Sequence, residues 1–130
     1  AGLELDFLHV SQGDYAGPSL RDPADTRRRL PLIREAIGER IPLMGVGGVE
    51  TPEQAMLPLR DGAGLVALGR VALYEPEWPR LVREGRADEI RRCLPAEGGA
   101  ESATIPPPLY RRLVDRPGWV RVCDEHGVKI

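Results

Sequence analysis

Hydrophobic positions along the chain fall into short blocks separated by polar, glycine-rich stretches, and the blocks alternate between two periods. "LDFLHV", Leu5 to Val10, is apolar and rich in strand formers, and the turn-prone "SQGDYAGPS" follows it. This pattern predicts a strand with a loop at its C-terminal end. "RRRLPLIREAIGER" places Leu30, Ile33 and Ile37 at helical spacing, with Asp25 or Thr26 as the expected N-cap, Pro31 tolerable only near the first turn and Gly38 weakening the end. "IPLMGV" is a continuous apolar run suited to a strand buried on both faces. Thr51, Pro52 and Gln54 then spell a helix start: an N-cap, a favoured first helical residue and a capping-box partner. That helix, "PEQAMLPLRDG", should end at Gly62 and be kinked or shortened by Pro58. "AGLVALGR" repeats the plan, with a strand over Leu65 to Leu68 followed at once by Gly69 and Arg70. Alternation of this kind with short connections implies parallel strands joined by right-handed crossovers, hence an α/β layer or a barrel segment.

Beyond Arg70 the pattern turns helical and polar. "EPEWPRLVREG" and "RADEIRRCL" predict short helices separated by Gly85, and "PAEGGAESATIPPP" predicts a Gly/Pro-rich loop. "PPPLYRRLVDRPGWVRV" predicts a short helix and an apolar tail anchored by Trp119. The expected organisation is a barrel-like segment over 1–93 and a loop with a helical tail over 94–130 packing on it.

Composition narrows the function classes. A chain of 130 residues is one domain at most, and 42% apolar with 29% charged residues is ordinary for a soluble globular chain. The net charge of −2, with arginines interspersed among acids as in "LVREGRADEIRRC", argues against a nucleic-acid partner. No apolar run approaches the roughly 18 residues of a membrane span. "AGLELDFLHV" carries acids where a signal peptide carries bases, so a cytoplasmic location without a membrane role is expected. Cys93 and Cys123 lack a CxxC or His-rich neighbourhood and are expected as free thiols. With His9 and His126 the only histidines, a histidine-rich metal centre is excluded. The chain opens on Ala1 already close to a strand pattern, which suggests processing or a piece of something longer.

The candidate chemistry lies in the glycines. At the C-terminal end of a parallel strand a glycine lets backbone approach a ligand, and a helix start just beyond favours an anion. "VGGVETPEQ" and "LGRVALYEP" both have this form, and Arg70 adds a guanidinium able to grip two phosphate oxygens. Adjacent parallel strands put their C-terminal loops on one edge, so Gly47, Gly48, Gly69 and Arg70 are the candidate phosphate-binding residues. A G-x-G-x-x-G dinucleotide turn and a P-loop lysine are absent. In (β/α)₈ barrels the loops after strands seven and eight commonly hold phosphate, which fits if the three strands are the sixth, seventh and eighth.

At "IPLMGVGGVETPEQAMLPLRDGAGLVALGRVALYEPEWP" the sequence resembles the C-terminal part of the old yellow enzyme family, the FMN-dependent NADH:flavin oxidoreductases and ene-reductases. "VGGVETPEQA", the Gly-Arg pair with its following "EPEWP", and "LDFLHVSQGDY" carry the resemblance, and "TIPPPLYRRLVDRPGW" is similar to the tail of one bacterial subgroup. The resemblance implies the last three strand-helix units of a (β/α)₈ TIM barrel with FMN at its C-terminal face. It also implies that backbone N–H groups of Gly47 and Gly48, with Gly69 and Arg70, hold the flavin phosphate, which a side chain at either glycine of the pair would obstruct. His9, Ser11 and Tyr15 would lie at or beyond the end of the first strand, facing the site mouth.

A family barrel runs to about 250 residues, and its substrate-binding His/His or His/Asn pair, flavin-ring Gln and Arg and proton-donating tyrosine have no counterpart in this chain. No catalytic residue is therefore assigned, and the expected role is part of an enzyme moving hydride from NAD(P)H through FMN to an activated alkene or similar small acceptor, inactive alone. A non-catalytic, phosphate-binding or self-associating half-barrel is the alternative, with another copy or an N-terminal half-barrel chain as partner. A barrel enzyme acting on a sugar phosphate is a third reading, in which "EPEWP" is coincidental.

Overall fold

The structure, a computed structural model, describes residues 4–17, 19 and 21–124. Two compact units divide after Gly69, covering 1–69 and 70–130.

The first unit is built as strand-helix repeats. Strand β1 (Leu8–Ser11), helix α1 (Arg29–Ile37), strand β2 (Leu43–Val46), helix α2 (Pro52–Arg60) and strand β3 (Leu65–Val66) follow in that order. The strands form one parallel sheet in the order β1-β2-β3, with Leu8 opposite Leu43, Ser11 opposite Val46 and Met44 opposite Leu65. The expected parallel arrangement is present. β3 is shorter than the apolar run, because only Leu65 and Val66 pair with β2. β2 alternates buried Leu43 and Gly45 with half-buried Met44 and Val46, so one face carries most of its burial.

Helix α1 differs from its predicted start. Arg28 occupies the N-cap without a side-chain cap bond, while Asp25 pairs with Arg27 and Arg29 instead. The two neighbouring guanidiniums hold the Asp25 carboxyl well below the usual carboxylate range. Pro31 lies in the first turn, and Gly38 closes the helix at φ 66°. Arg34 then satisfies carbonyls beyond two helix ends, donating to Gly38 O (2.7 Å) and Gly62 O (2.6 Å).

The α2 start is the predicted one. Thr51 Oγ1 accepts from Gln54 N–H (3.2 Å), and Gln54 Oε1 accepts from Thr51 N–H (3.1 Å) and Glu50 N–H (2.8 Å). Pro58 does not end the helix, which continues to Arg60. It is buried, and a Cβ at Gly45 would lie 2.9 Å from its Cβ, so the proline ring packs on the one strand residue that leaves room for it. Tyr15, Leu30, Leu43 and Ala63 make the core of this unit.

The second unit contains α3 (Arg70–Tyr74), α4 (Trp78–Arg83), β4 (Leu94–Pro95), α5 (Gly99–Ser102), α6 (Pro107–Val114) and β5 (Val122–Cys123). Its centre is Tyr74, Leu94, Ala103, Ile105 and Leu113. Four sequence expectations are corrected. Past Gly85 the predicted second helix is only a 3-10 turn over Ala87–Glu89, and the predicted loop contains β4 and α5. Trp119 is exposed under the Arg116 guanidinium, 4.3 Å from the ring centroid, so the tail is held by β5 pairing with β4 instead. Cys93 and Cys123 are not free thiols but a disulfide with Cα atoms 5.9 Å apart, brought together by the register that sets Pro95 opposite Cys123. A parallel pairing between segments 30 residues apart has no local signature. Among the described residues no helix is long and apolar enough to cross a membrane.

Candidate functional site

In the first unit the loops after β1 and β2 meet at the C-terminal edge of the sheet. Gln12 N–H donates to Val46 O (3.0 Å) and Tyr15 N–H to Gly47 O (3.0 Å), so the β1 loop is laid along the residues that follow β2. This contact explains Gly47. A Cβ there would stand 2.7 Å from Tyr15 N and 2.9 Å from Gln12 O, both backbone atoms that cannot swing aside. The first demand for a glycine at 47 is therefore this loop's own backbone.

Gly48 has a different environment. It is exposed with φ 65°, a conformation that favours glycine, and the nearest atoms to a Cβ would be 3.7–3.8 Å away on Asp14 and Gly13. Space for a ligand atom exists beside its backbone, but the Asp14 carboxylate borders that space and disfavours an anion. A recess of about 40 Å³ lies there, lined by Asp14, Tyr15, Gly47, Gly48 and Gln54 among others. The start of α2 offers little to an anion, since the N–H groups of Glu50, Thr51 and Gln54 are already engaged in the capping box.

Gly69, the last residue of the first unit, is exposed, and a Cβ on it would meet nothing within 4 Å. Arg70 opens α3 in the second unit, exposed, and its guanidinium has no ion pair or hydrogen bond among the described residues. Helix α3 has five residues, too short for a strong dipole, so Arg70 would act by its side chain. Gly48 and Gly69 thus leave their backbone exposed and Arg70 presents an exposed guanidinium, whereas the side-chain space at Gly47 is filled by the protein's own backbone and the α2 start by its capping box.

The β1 residues divide. His9 is exposed in the strand, and Ser11 lines a cavity of about 520 Å³. Tyr15 turns inward: it is buried beside Leu30 and Leu43, and its hydroxyl donates to Asp61 Oδ2. Arg28 grips the same carboxylate with Nε and Nη2, both at 2.7 Å. Burial, and then the Asp61 hydrogen bond, pushes the Tyr15 hydroxyl well above the usual tyrosine range. Tyr15 is thus a packing residue and not a mouth residue.

Gln12, Asp14 and Arg21, outside the glycine pattern, line the larger cavity with Ser11. Gln12 Nε2 is buried without a hydrogen-bond partner among the described residues. The available signal was "SQGD", polar residues directly after a strand on the same edge as Gly48.

No family profile matches the chain. It is 35% identical over 117 residues to a probable NADH-dependent flavin oxidoreductase of Bacillus subtilis, an alignment covering 90% of this chain and 31% of that protein. It is 38% identical over 122 residues to the NADH oxidase of Thermoanaerobacter brockii, covering 90% and 18%. The NADH:fumarate oxidoreductase of Klebsiella pneumoniae is 34% identical over 117 residues, covering 85% and 12%. The chain thus spans less than a third of the length of these relatives.

Proposed function

We propose, from the premise that this chain belongs with the NADH-dependent flavin oxidoreductases, that it is the part of such an enzyme that grips the phosphate of FMN. The observation that carries the proposal is the similarity over nine-tenths of the chain to proteins named for NADH and flavin, on a parallel strand-helix framework. Strands β1 to β3 are taken as the sixth to eighth strands of a (β/α)₈ barrel, with 1–93 as the barrel segment and 94–130 as loop and tail. Gly47, Gly48, Gly69 and Arg70 are the proposed phosphate contacts, the glycine pair through backbone N–H groups, with Gly47 also shaping the edge that presents Gly48. When bound, a flavin supplies two-electron transfer from NAD(P)H to a small acceptor such as an activated alkene. This chain's share is binding and orientation, in a cytoplasmic setting, and turnover requires residues that it does not carry.

The test is titration of the purified chain with FMN, followed by flavin fluorescence, with riboflavin as the phosphate-free control. Saturable binding of FMN and not riboflavin is expected. Arg70→Ala should weaken FMN binding by about 1.5–3 kcal/mol, the loss of a charge-assisted hydrogen-bond pair, and leave the fold intact. Equal affinity in wild type and variant would remove Arg70 from the site.

A second reading, a self-associating phosphate-binding half-barrel, is favoured by one observation. β1 and β3 are edge strands, and Phe7 just before β1 and Leu65 within β3 stand about half exposed. Concentration-dependent sedimentation together with phosphate-ester affinity but no flavin preference would select it.

A further inference from the structure

β4 and β5 pair over only two residues each, with Leu94 N–H donating to Arg121 O (2.9 Å) and Ala96 N–H to Cys123 O (2.9 Å). A pair this short does not hold itself together in water. The Cys93–Cys123 disulfide crosses it and ties the chain across a separation of 30 residues. The tied segment also reaches α3: Arg121 N–H donates to the Tyr74 hydroxyl (3.0 Å), and the Arg121 guanidinium lies 5.3 Å from the centroid of the Tyr74 ring. Tyr74 is the last residue of α3, 1% exposed at the centre of this unit, and the same helix begins with Arg70. The disulfide therefore connects, through Arg121 and Tyr74, to the helix that carries Arg70.

We propose that Cys93–Cys123 is a thiol-exchangeable clip. Closed, it holds Arg121 against Tyr74 and orders α3; opened by a small thiol of the glutathione or dithiol class, it frees β5 and loosens α3. The two sulfurs are not equivalent, since Cys93 is half-buried and Cys123 only 4% exposed. An external thiolate attacks Cys93 Sγ, forming a mixed disulfide there, while the S–S electron pair leaves on Cys123 Sγ and takes up a proton. A second external thiolate then attacks the external sulfur of that mixed disulfide. Cys93 Sγ leaves as a thiolate and is protonated, and the two external thiols end as their own disulfide, having supplied both electrons.

The experiment compares amide exchange of the whole chain after air oxidation, after dithiothreitol, and after reoxidation with oxidised glutathione, alongside thiol alkylation. Expected are no alkylatable thiol in the oxidised chain and exchange at least about tenfold faster at Leu94, Ala96, Arg121 and Glu75 after reduction; Glu75 N–H, bonded to Val71 O, reports on α3. Reoxidation should restore protection, and the trapped glutathione adduct should map to Cys93. Cys93→Ser, at the more exposed position, should match the reduced chain. Two alkylatable thiols after oxidation, or unchanged exchange at Glu75 on reduction, would overturn the proposal. If the functional reading above also holds, reduction lowers FMN affinity by about tenfold through Arg70. Absence of FMN binding in both states with the exchange response intact would overturn that reading and leave the clip standing.

Discussion

At the scale of single residues, Gly47 shows how one sequence signal can have two physical sources. A glycine directly after a parallel strand suits a phosphate, but here the space a Cβ would need holds Tyr15 N and Gln12 O. Gly47→Ala should therefore destabilise the first unit by about 2 kcal/mol through backbone overpacking, with or without any ligand. A denaturant melt checks it, and an unchanged midpoint would show that the β1 loop yields freely. Gly48 carries the opposite expectation, because its would-be Cβ meets nothing closer than 3.7 Å and only its positive φ resists substitution. Tyr15 teaches a similar lesson. A tyrosine in a loop at a sheet's C-terminal edge is a natural candidate for a site mouth, yet Asp61, distant in sequence, offers its hydroxyl a buried acceptor.

At the scale of elements, the strongest local signals were also the ones realised. The Thr51, Pro52 and Gln54 start forms its capping box as written, because every group it needs lies within one turn. Thr51→Ala should cost about 1 kcal/mol, by loss of the side-chain acceptor for Gln54 N–H. A thermal melt of the variant measures this, and exchange at Gln54 localises it. Helix α1 shows the limit of such signals: Asp25 has the chemistry of an N-cap, but Arg27 and Arg29 offer it stronger charge-assisted partners two and four residues on. Pro58 shows another limit, since a proline expected to kink or shorten α2 lies inside it where Gly45 on β2 makes room for its ring. The short β4–β5 pair and α5 have no periodic pattern long enough to announce them.

At the scale of the whole molecule, one buried ionisable group in each unit links its stability to pH. In 70–130, Glu75 is buried and accepts from Arg91 Nε (2.8 Å), and the Arg91 hydrogen bond outweighs burial and holds its carboxyl below the usual glutamate range. A depressed folded pKa gives stability that is present above the unfolded value of about 4.3 and is lost as pH falls through the folded one. In 1–69, the raised Tyr15 pKa gives stability that is complete below about 10 and declines as pH rises above it. Amide exchange across the pH range should show acid loosening the second unit through Glu75 and alkali loosening the first through Tyr15. Tyr15→Phe should abolish the alkaline effect, and an alkaline response that survives it would reject this assignment.

The parallel framework of the first unit, the helix start at Thr51 and the relation to flavin oxidoreductases were all legible in the residues alone. Each rests on interactions between neighbours in sequence or on a run of residues compared position by position. What lay beyond reach were the inward turn of Tyr15, the real occupant of the space at Gly47 and the joining of Cys93 to Cys123. Those depend on which segments meet across 30 or more residues, and a contact of that kind is chosen by the packing of the folded chain.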